Sequence, residues 1–285
     1  MGDIFRRWIT EKGTFRILAA SATNTVGEAV SVMGCNSEVG ALYGEFLMGA
    51  ALYQLAFAPA DRVQCAIEHQ GATGPIVADI RPGVVVRGRV EVPQATGTLL
   101  GGASRLRVTR RPHRGGEPYE SLIAIPRRKI ADAFQVYALQ SDQVVSFMAL
   151  HSIYEEEKLT LAGGFILQAL PGATHEDLSE VTQCLEHSRF EDQLILTKDP
   201  FQAIHGMFHG LDLQQLGEDP LEYRCSCSQG SVLVALRTLN KEELEEALEG
   251  QAPSISCEFC KTEYHCSSEE LRQLIREKKD LEKAD

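Results

Sequence analysis

Hydrophobic and polar positions change their period several times along the chain. Glu38 to Phe57 is almost wholly apolar and too long for a strand, which predicts one long buried helix, with Gly44 and Gly49 thinning one face for close packing. Arg62 to His69, Val84 to Val92, Arg105 to Thr109 and Tyr119 to Ile125 alternate or run in β-branched residues and predict strands. Gly- and Pro-containing stretches such as Gly71 to Pro75 and Pro93 to Gly102 separate them. Ile130 to Tyr137 reads as a second helix and Gly163 to Ala169 as a last strand, closed by Pro171-Gly172.

From Thr174 the pattern becomes short and amphipathic. Thr174 caps a helix with Asp177 at N3 and Leu178, Val181 and Leu185 on one face; Asp199 caps another that opens on Pro200, with Phe201, Ile204 and Phe208 as its stripe. Helices this short fold only against a neighbour. In the last 61 residues Asn240 caps a helix with Glu243 at N3 and Gly250 as its stop, and a final helix begins near Ser268 with Leu271, Leu274 and Ile275 as its stripe. So few core positions need a metal for stability. The expected fold class is α+β: a strand-rich core domain with a long buried helix over 1–173, a helical linker region over 174–224 and a small zinc-binding domain over 225–285.

The 285 residues suggest about two domains. With 44% apolar and 24% charged residues the chain is globular rather than disordered. The net charge of −12 is unevenly spread: residues 1–170 carry 17 Lys/Arg against 16 Asp/Glu, and residues 171–285 carry 11 against 24. An acidic C-terminal part disfavours nucleic acid as partner, because phosphates need a positive surface. The first 17 residues lack the apolar run of a signal peptide, and Val39 to Ala58, the one candidate span, contains Glu45 and Gln54. A cytoplasmic protein without a membrane partner is expected.

Chemistry concentrates in Cys225-Ser226-Cys227 and, 29 residues on, Cys257-Glu258-Phe259-Cys260. Four thiolates at this spacing suit one tetrahedral Zn²⁺ per chain. Thiolates are what oxidants attack, and a bound metal masks them; its binding free energy is folding free energy, so oxidation would unfold the small domain and make it a redox switch. His265 and Cys266 lie close by, but the four cysteines already complete the site. Cys35, Cys65 and Cys184 sit in apolar patterns and read as buried small hydrophobes. His205 and His209 lack the glutamate of a zinc-protease helix, and no P-loop or βαβ unit frames the glycine runs or the C-x-x-C. Two other readings stand beside the switch: a purely structural zinc-ribbon module, and a thiol oxidoreductase using Cys257 and Cys260.

These residues resemble the 33 kDa heat-shock protein family of redox-regulated holdase chaperones. The likeness rests on Glu222-Tyr223-Arg224-Cys225-Ser226-Cys227, on Cys257-Glu258-Phe259-Cys260 followed by Tyr264, and on the run from Gly163 to Pro171, with weaker support from Gly74-Pro75, Val86-Arg87-Gly88 and Ser141-Asp142-Gln143. Tyr119-Glu120-Ser121-Leu122 lacks the family's glycine, and Val144-Val145 replaces its proline-containing turn. The resemblance implies a non-enzymatic chaperone, monomeric and inactive when reduced and zinc-bound. On oxidation it would form Cys225–Cys227 and Cys257–Cys260 disulfides, release zinc, lose linker structure, dimerise and hold unfolding client proteins without ATP.

Overall fold

The long apolar run folds as a helix from Ser37 to Phe57 in the computed structural model, which describes residues 2–68, 71–126, 129–249 and 254–281. Asn36 starts it by accepting a hydrogen bond from the Val39 amide at 2.8 Å. The helix is apolar all round because sheets cover it on both sides. In chain order, β1 (Ile4–Thr10) and β2 (Phe15–Ser21) precede α1 (Thr23–Met33) and this long helix, α2. Then come β3 (Arg62–Glu68), β4 (Ile76–Arg81), β5 (Val85–Val90), β6 (Arg105–Arg111), β7 (Tyr119–Ala124), α3 (Ile130–Tyr137), β8 (Ser146–Glu155) and β9 (Lys158–Ala169). The acidic stretch holds α4 (His175–His187), α5 (Phe190–Thr197), α6 (Pro200–Met207), β10 (Leu213–Pro220) and β11 (Glu222–Tyr223). The tail adds α7 (Gln229–Leu236), α8 (Lys241–Glu249), β12 (Ser254–Ser256), β13 (Glu263–His265) and α9 (Ser268–Leu281).

The chain divides into two compact units, Met1–Arg224 and Cys225–Asp285. In the first, a five-stranded sheet ordered β10-β1-β2-β9-β8 and a six-stranded sheet ordered β11-β5-β4-β3-β6-β7 enclose α2. Every pairing is antiparallel except β11 with β5, where Glu222 lies opposite Val85 and Tyr223 opposite Val86. Two glycines make the close packing possible. A Cβ on Gly49 would stand 2.7 Å from the Phe134 ring, and one on Gly88 would stand 2.6 Å from Leu47 and 2.8 Å from the Tyr43 hydroxyl.

A second apolar cluster lies on the other face of the five-stranded sheet. Trp8, Ile17, Phe165 and Leu167 from the strands meet Val181, Phe190, Leu194, Phe201, Ile204, Met207 and Phe208 from α4 to the end of α6. The capping boundaries expected at Thr174 and Asp199 are present: Thr174 and Asp177 form a capping box, and the Asp199 carboxylate accepts from the amides of Phe201 and Gln202. The stretch the pattern separates as a linker region thus falls within the first compact unit, and it carries two unexpected strands, β10 and β11. β10 has little alternation, since it is an exposed edge whose backbone pairs with β1 across a register shift between Arg7 and Trp8.

Glu45 is the charged residue within the apolar run of α2. It borders a cavity of about 560 Å³ shared with Lys129, His151 and Glu191. Burial, reinforced by Glu191 and opposed by Lys129, pushes its carboxyl up to about 7. A raised carboxyl binds its proton more tightly in the folded state, so stability falls as pH rises from the ordinary carboxylate range to about 7. Glu45→Gln is therefore expected to raise the melting temperature at pH 8, by the equivalent of about 1–2 kcal/mol, and to leave it unchanged at pH 4. Equal melting temperatures of variant and parent at pH 8 would refute this.

The second unit has its own small core: Val232, Leu236, Leu244, Cys266, Leu271, Leu274 and Ile275 are buried together. Asn240 and Glu243 exchange hydrogen bonds as a capping box at the start of α8. The stop expected at Gly250 lies outside the described residues.

Candidate metal centre

The two cysteine motifs are presented by different local structures. Cys225 and Cys227 lie in irregular chain between β11 and α7, where the Ser228 hydroxyl accepts from the Ser231 amide and opens the helix. Cys257 and Cys260 occupy the turn of the β12–β13 hairpin. That turn closes through the Cys257 amide on the Thr262 carbonyl at 2.9 Å and the Lys261 amide on the Cys257 carbonyl at 2.8 Å, with Lys261 at a φ of 58°. A turn this tight aims both its sulfurs the same way.

The four sulfurs all lie within 4.8 Å of one another. Cys225 Sγ is 3.8 Å from Cys257 Sγ, and Cys227 Sγ is 3.2 Å from Cys260 Sγ. Metal–sulfur bonds of about 2.3 Å in a tetrahedron place sulfurs about 3.8 Å apart, so the donor set fits a thiolate-bound zinc ion. These four form the one group of three or more metal-ligating side chains found among the described residues.

Two hydroxyls support the cluster. Tyr264 Oη donates to Cys227 Sγ at 3.0 Å, and Thr262 Oγ1 lies 3.2 Å from Cys260 Sγ. Burial and the surrounding sulfurs push Cys227 up to about 12 against the pull of Tyr264. Burial also opposes ionisation of Cys260, yet the hydroxyl and amide of Thr262 together with Cys227 and Cys257 bring it down to about 6. Ionisation of Cys260 is thus eased while that of Cys227 and Cys257 is held back, which is the behaviour of thiolates crowded without a cation. Only a positive charge at the centre lets all four ionise together.

Tyr264 joins two parts of the unit. Its ring packs against the small apolar core while its hydroxyl reaches the sulfur. Tyr264→Phe keeps the ring and removes the hydrogen bond; metal affinity measured by chelator competition is expected to fall about tenfold with the helix content unchanged. An unchanged affinity would mean that the hydroxyl does not tune the site. Neither Tyr264 nor Thr262 belongs to the cysteine spacing, and only the hairpin register brings them to the sulfurs.

The other candidates fall elsewhere. Cys266 is fully buried in the small core, and His265 is exposed with its carbonyl accepting from Gln229. Cys65 is buried in the main core, whereas Cys35 and Cys184 pack at the edges of the two large clusters. Burial pushes the Cys35 thiol up to about 12 and raises that of Cys65 further, which makes both poor nucleophiles. His205 lies edge-on to Trp8, and His209 Nδ1 is 3.2 Å from the Gly206 carbonyl. Among the described residues no helix is long and apolar enough to cross a membrane.

A two-sheet core wrapped round a buried helix, joined to a small unit with a four-cysteine centre, defines a class of mixed α+β proteins with a C-terminal cysteine cluster suited to a metal. Residues 3–267 match the family described as Hsp33 protein. The chain belongs to the Hsp33 family. It is 31% identical over 292 residues to the 33 kDa chaperonin of Syntrophotalea carbinolica, covering 96% of this chain and 100% of that one. It is 29% identical over 293 residues to the 33 kDa chaperonin of Limosilactobacillus fermentum, covering 98% and 100%. The crystal structure of the 33 kDa chaperonin from Thermotoga maritima superposes with a TM-score of 0.87 at 23% identity, covering 98% of this chain and 99% of that one. The family supports a chaperone.

Proposed function

We propose that this chain is a redox-regulated, ATP-independent holdase. The observation that carries the reading is the convergence of Cys225, Cys227, Cys257 and Cys260 within 4.8 Å, in a unit whose own core is seven buried side chains. One Zn²⁺ per chain, held by these four, would supply the charge that keeps the sulfurs together as thiolates and shields them from oxidants. When that protection is overcome, Cys225 pairs with Cys227 and Cys257 with Cys260, as the family resemblance implies. Each pair gives up two electrons to one peroxide, the sulfur–sulfur bond forms as the oxygen–oxygen bond breaks, and two protons complete two waters. The small unit then loses its organising centre.

Release of residues 174–224, the linker region, is the next step. Its attachment is weak near the cysteines: β11 is two residues long, and the Arg224 amide donating to the Val86 carbonyl immediately precedes Cys225. Behind it, α4 to α6 cover Trp8, Ile17, Phe165 and Leu167, so undocking them exposes a large apolar face of the five-stranded sheet. That face suits unfolding clients, and two such faces suit the oxidised homodimer; the reduced protein is a monomer in the cytoplasm.

Zinc content, free thiols and suppression of aggregation of a denatured test protein, measured before and after peroxide with mild heat, test the reading together. Four thiols and one zinc should be lost as holdase activity appears. A structural zinc module would keep its metal or precipitate, and a thiol oxidoreductase would turn over a dithiol substrate. Cys184→Ser should leave the switch intact.

A further inference from the structure

The outward face of the six-stranded sheet has a charge opposite to that of the whole chain. Val63, Cys65 and Ile67 of β3 point into the core, so Arg62 and Glu68 point away from it, and the ladder registers carry that face across the sheet. Arg62 lies opposite Arg111, Ala66 opposite Arg107 and Glu68 opposite Arg105; beyond β3, Asp79 lies opposite Arg87 and Val77 opposite Arg89. With Arg81 at the end of β4, strands β3 to β7 present seven outward arginines against three carboxylates, Glu68, Asp79 and Glu120.

The carboxylates present occupy only part of this array. Asp79 takes a two-pronged contact from Arg62 at 2.6 and 2.8 Å and a third from Arg87 at 2.8 Å, while Arg107 bridges Glu68 at 2.7 Å and Glu120 at 2.6 Å. Arg81, Arg105 and Arg111 have no carboxylate partner among the described residues, and Arg105 and Arg111 are exposed. The residue type is selective too: between Lys12 and Lys129 the chain has twelve arginines and no lysine. A merely solvated face has no reason to exclude lysine, whereas the planar fork of arginine matches carboxylates two prongs at a time.

We propose that this sheet face is a docking surface for an acidic polypeptide segment, a run rich in aspartate and glutamate, with Arg81, Arg105 and Arg111 as its free recognition groups. Carboxylates already seated on neighbouring arginines show the geometry that the ligand would repeat. Nucleic acid fits less well, because no aromatic residue stands at the outward positions of these strands to stack a base, and three carboxylates are interspersed. The surface belongs to the first compact unit, and the proposal does not depend on the redox reading.

The test uses the full-length protein, reduced and oxidised, with a dye-labelled oligoglutamate peptide followed by fluorescence anisotropy at low and high salt. Binding that weakens with salt is expected, with about a tenfold loss of affinity in the triple variant Arg81→Gln, Arg105→Gln, Arg111→Gln. The charge-matched control Arg114→Gln, Lys158→Gln, Lys241→Gln should bind like the parent. The three substituted arginines hold no ion pair among the described residues, so the fold should survive, and an unchanged melting temperature would confirm that. Absence of binding to the parent, equal affinity of the triple variant and the parent, or a DNA duplex bound as tightly through the same arginines would each overturn the proposal.

Discussion

Stripping the metal with a chelator, or replacing Cys257 with serine, is expected to unfold residues 225–281 while the core over residues 1–173 keeps its fold. The second unit has one apolar cluster of seven buried residues, short helices and a three-residue hairpin ladder. That core cannot offset the conformational entropy of more than fifty ordered residues, at about 1–2 kcal/mol each for the backbone. A structural zinc site contributes about 10–16 kcal/mol of apparent binding free energy at pH 7, enough to decide whether such a unit is folded. Cys257→Ser removes a donor from the turn that also carries Cys260, so both the site and the hairpin lose their anchor. Circular dichroism should lose the helical signal of α7 to α9, and amide exchange should lose protection beyond Arg224 and then over the released residues 174–224, with residues 1–173 still protected. A fully chelated protein that keeps protected amides in α9 would show that the small core suffices by itself.

The second large effect lies in the core unit. Asp79 is completely buried on β4 between Arg62 and Arg87. Burial alone would raise its pKa, but the hydrogen bonds and charge of Arg62, and then of Arg87, outweigh that and hold the carboxyl below the usual carboxylate range. Asp79→Asn keeps the shape and leaves two guanidiniums facing each other without a counter-charge. A loss of about 2–4 kcal/mol is expected, below the upper end for broken buried pairs because Arg62 keeps access to solvent. The melting transition of the core should fall by roughly 5–15 °C. The sign of the pH dependence follows: a depressed carboxyl contributes its stability above the ordinary carboxylate pKa and loses it as pH falls through the folded value. The gap between variant and parent should therefore be full at pH 7 and shrink below pH 4. A gap that persists unchanged at pH 3 would assign the loss to packing rather than charge.

Legibility in the sequence followed the range of the interactions. The buried helix, the caps at Thr174, Asp199 and Asn240, and the strands at Arg62, Val85, Arg105 and Tyr119 could be read because residues a few positions apart decide them. β10 could not: Leu213–Pro220 contains a glycine and a proline and is mostly half-buried or exposed, and it is a strand only because β1 offers it a ladder. β4 was hidden for the opposite reason, since a strand buried on both faces loses its alternation. The four cysteines were legible as a set from spacing alone, whereas Tyr264 and Thr262 became part of the site only through the hairpin register.

By itself the sequence determined which residues can bind a metal, where the charge lies and which segment must be buried, because chemistry, net charge and hydrophobic period belong to residues and their near neighbours. Tertiary structure decided that Cys266 belongs to an apolar core and not to the sulfur cluster. It also docked α4 to α6 on the outer face of a sheet and gathered arginines from four strands onto one surface. Those outcomes depend on which distant segments pair and stack, and the free energy that selects them is shared across the whole fold.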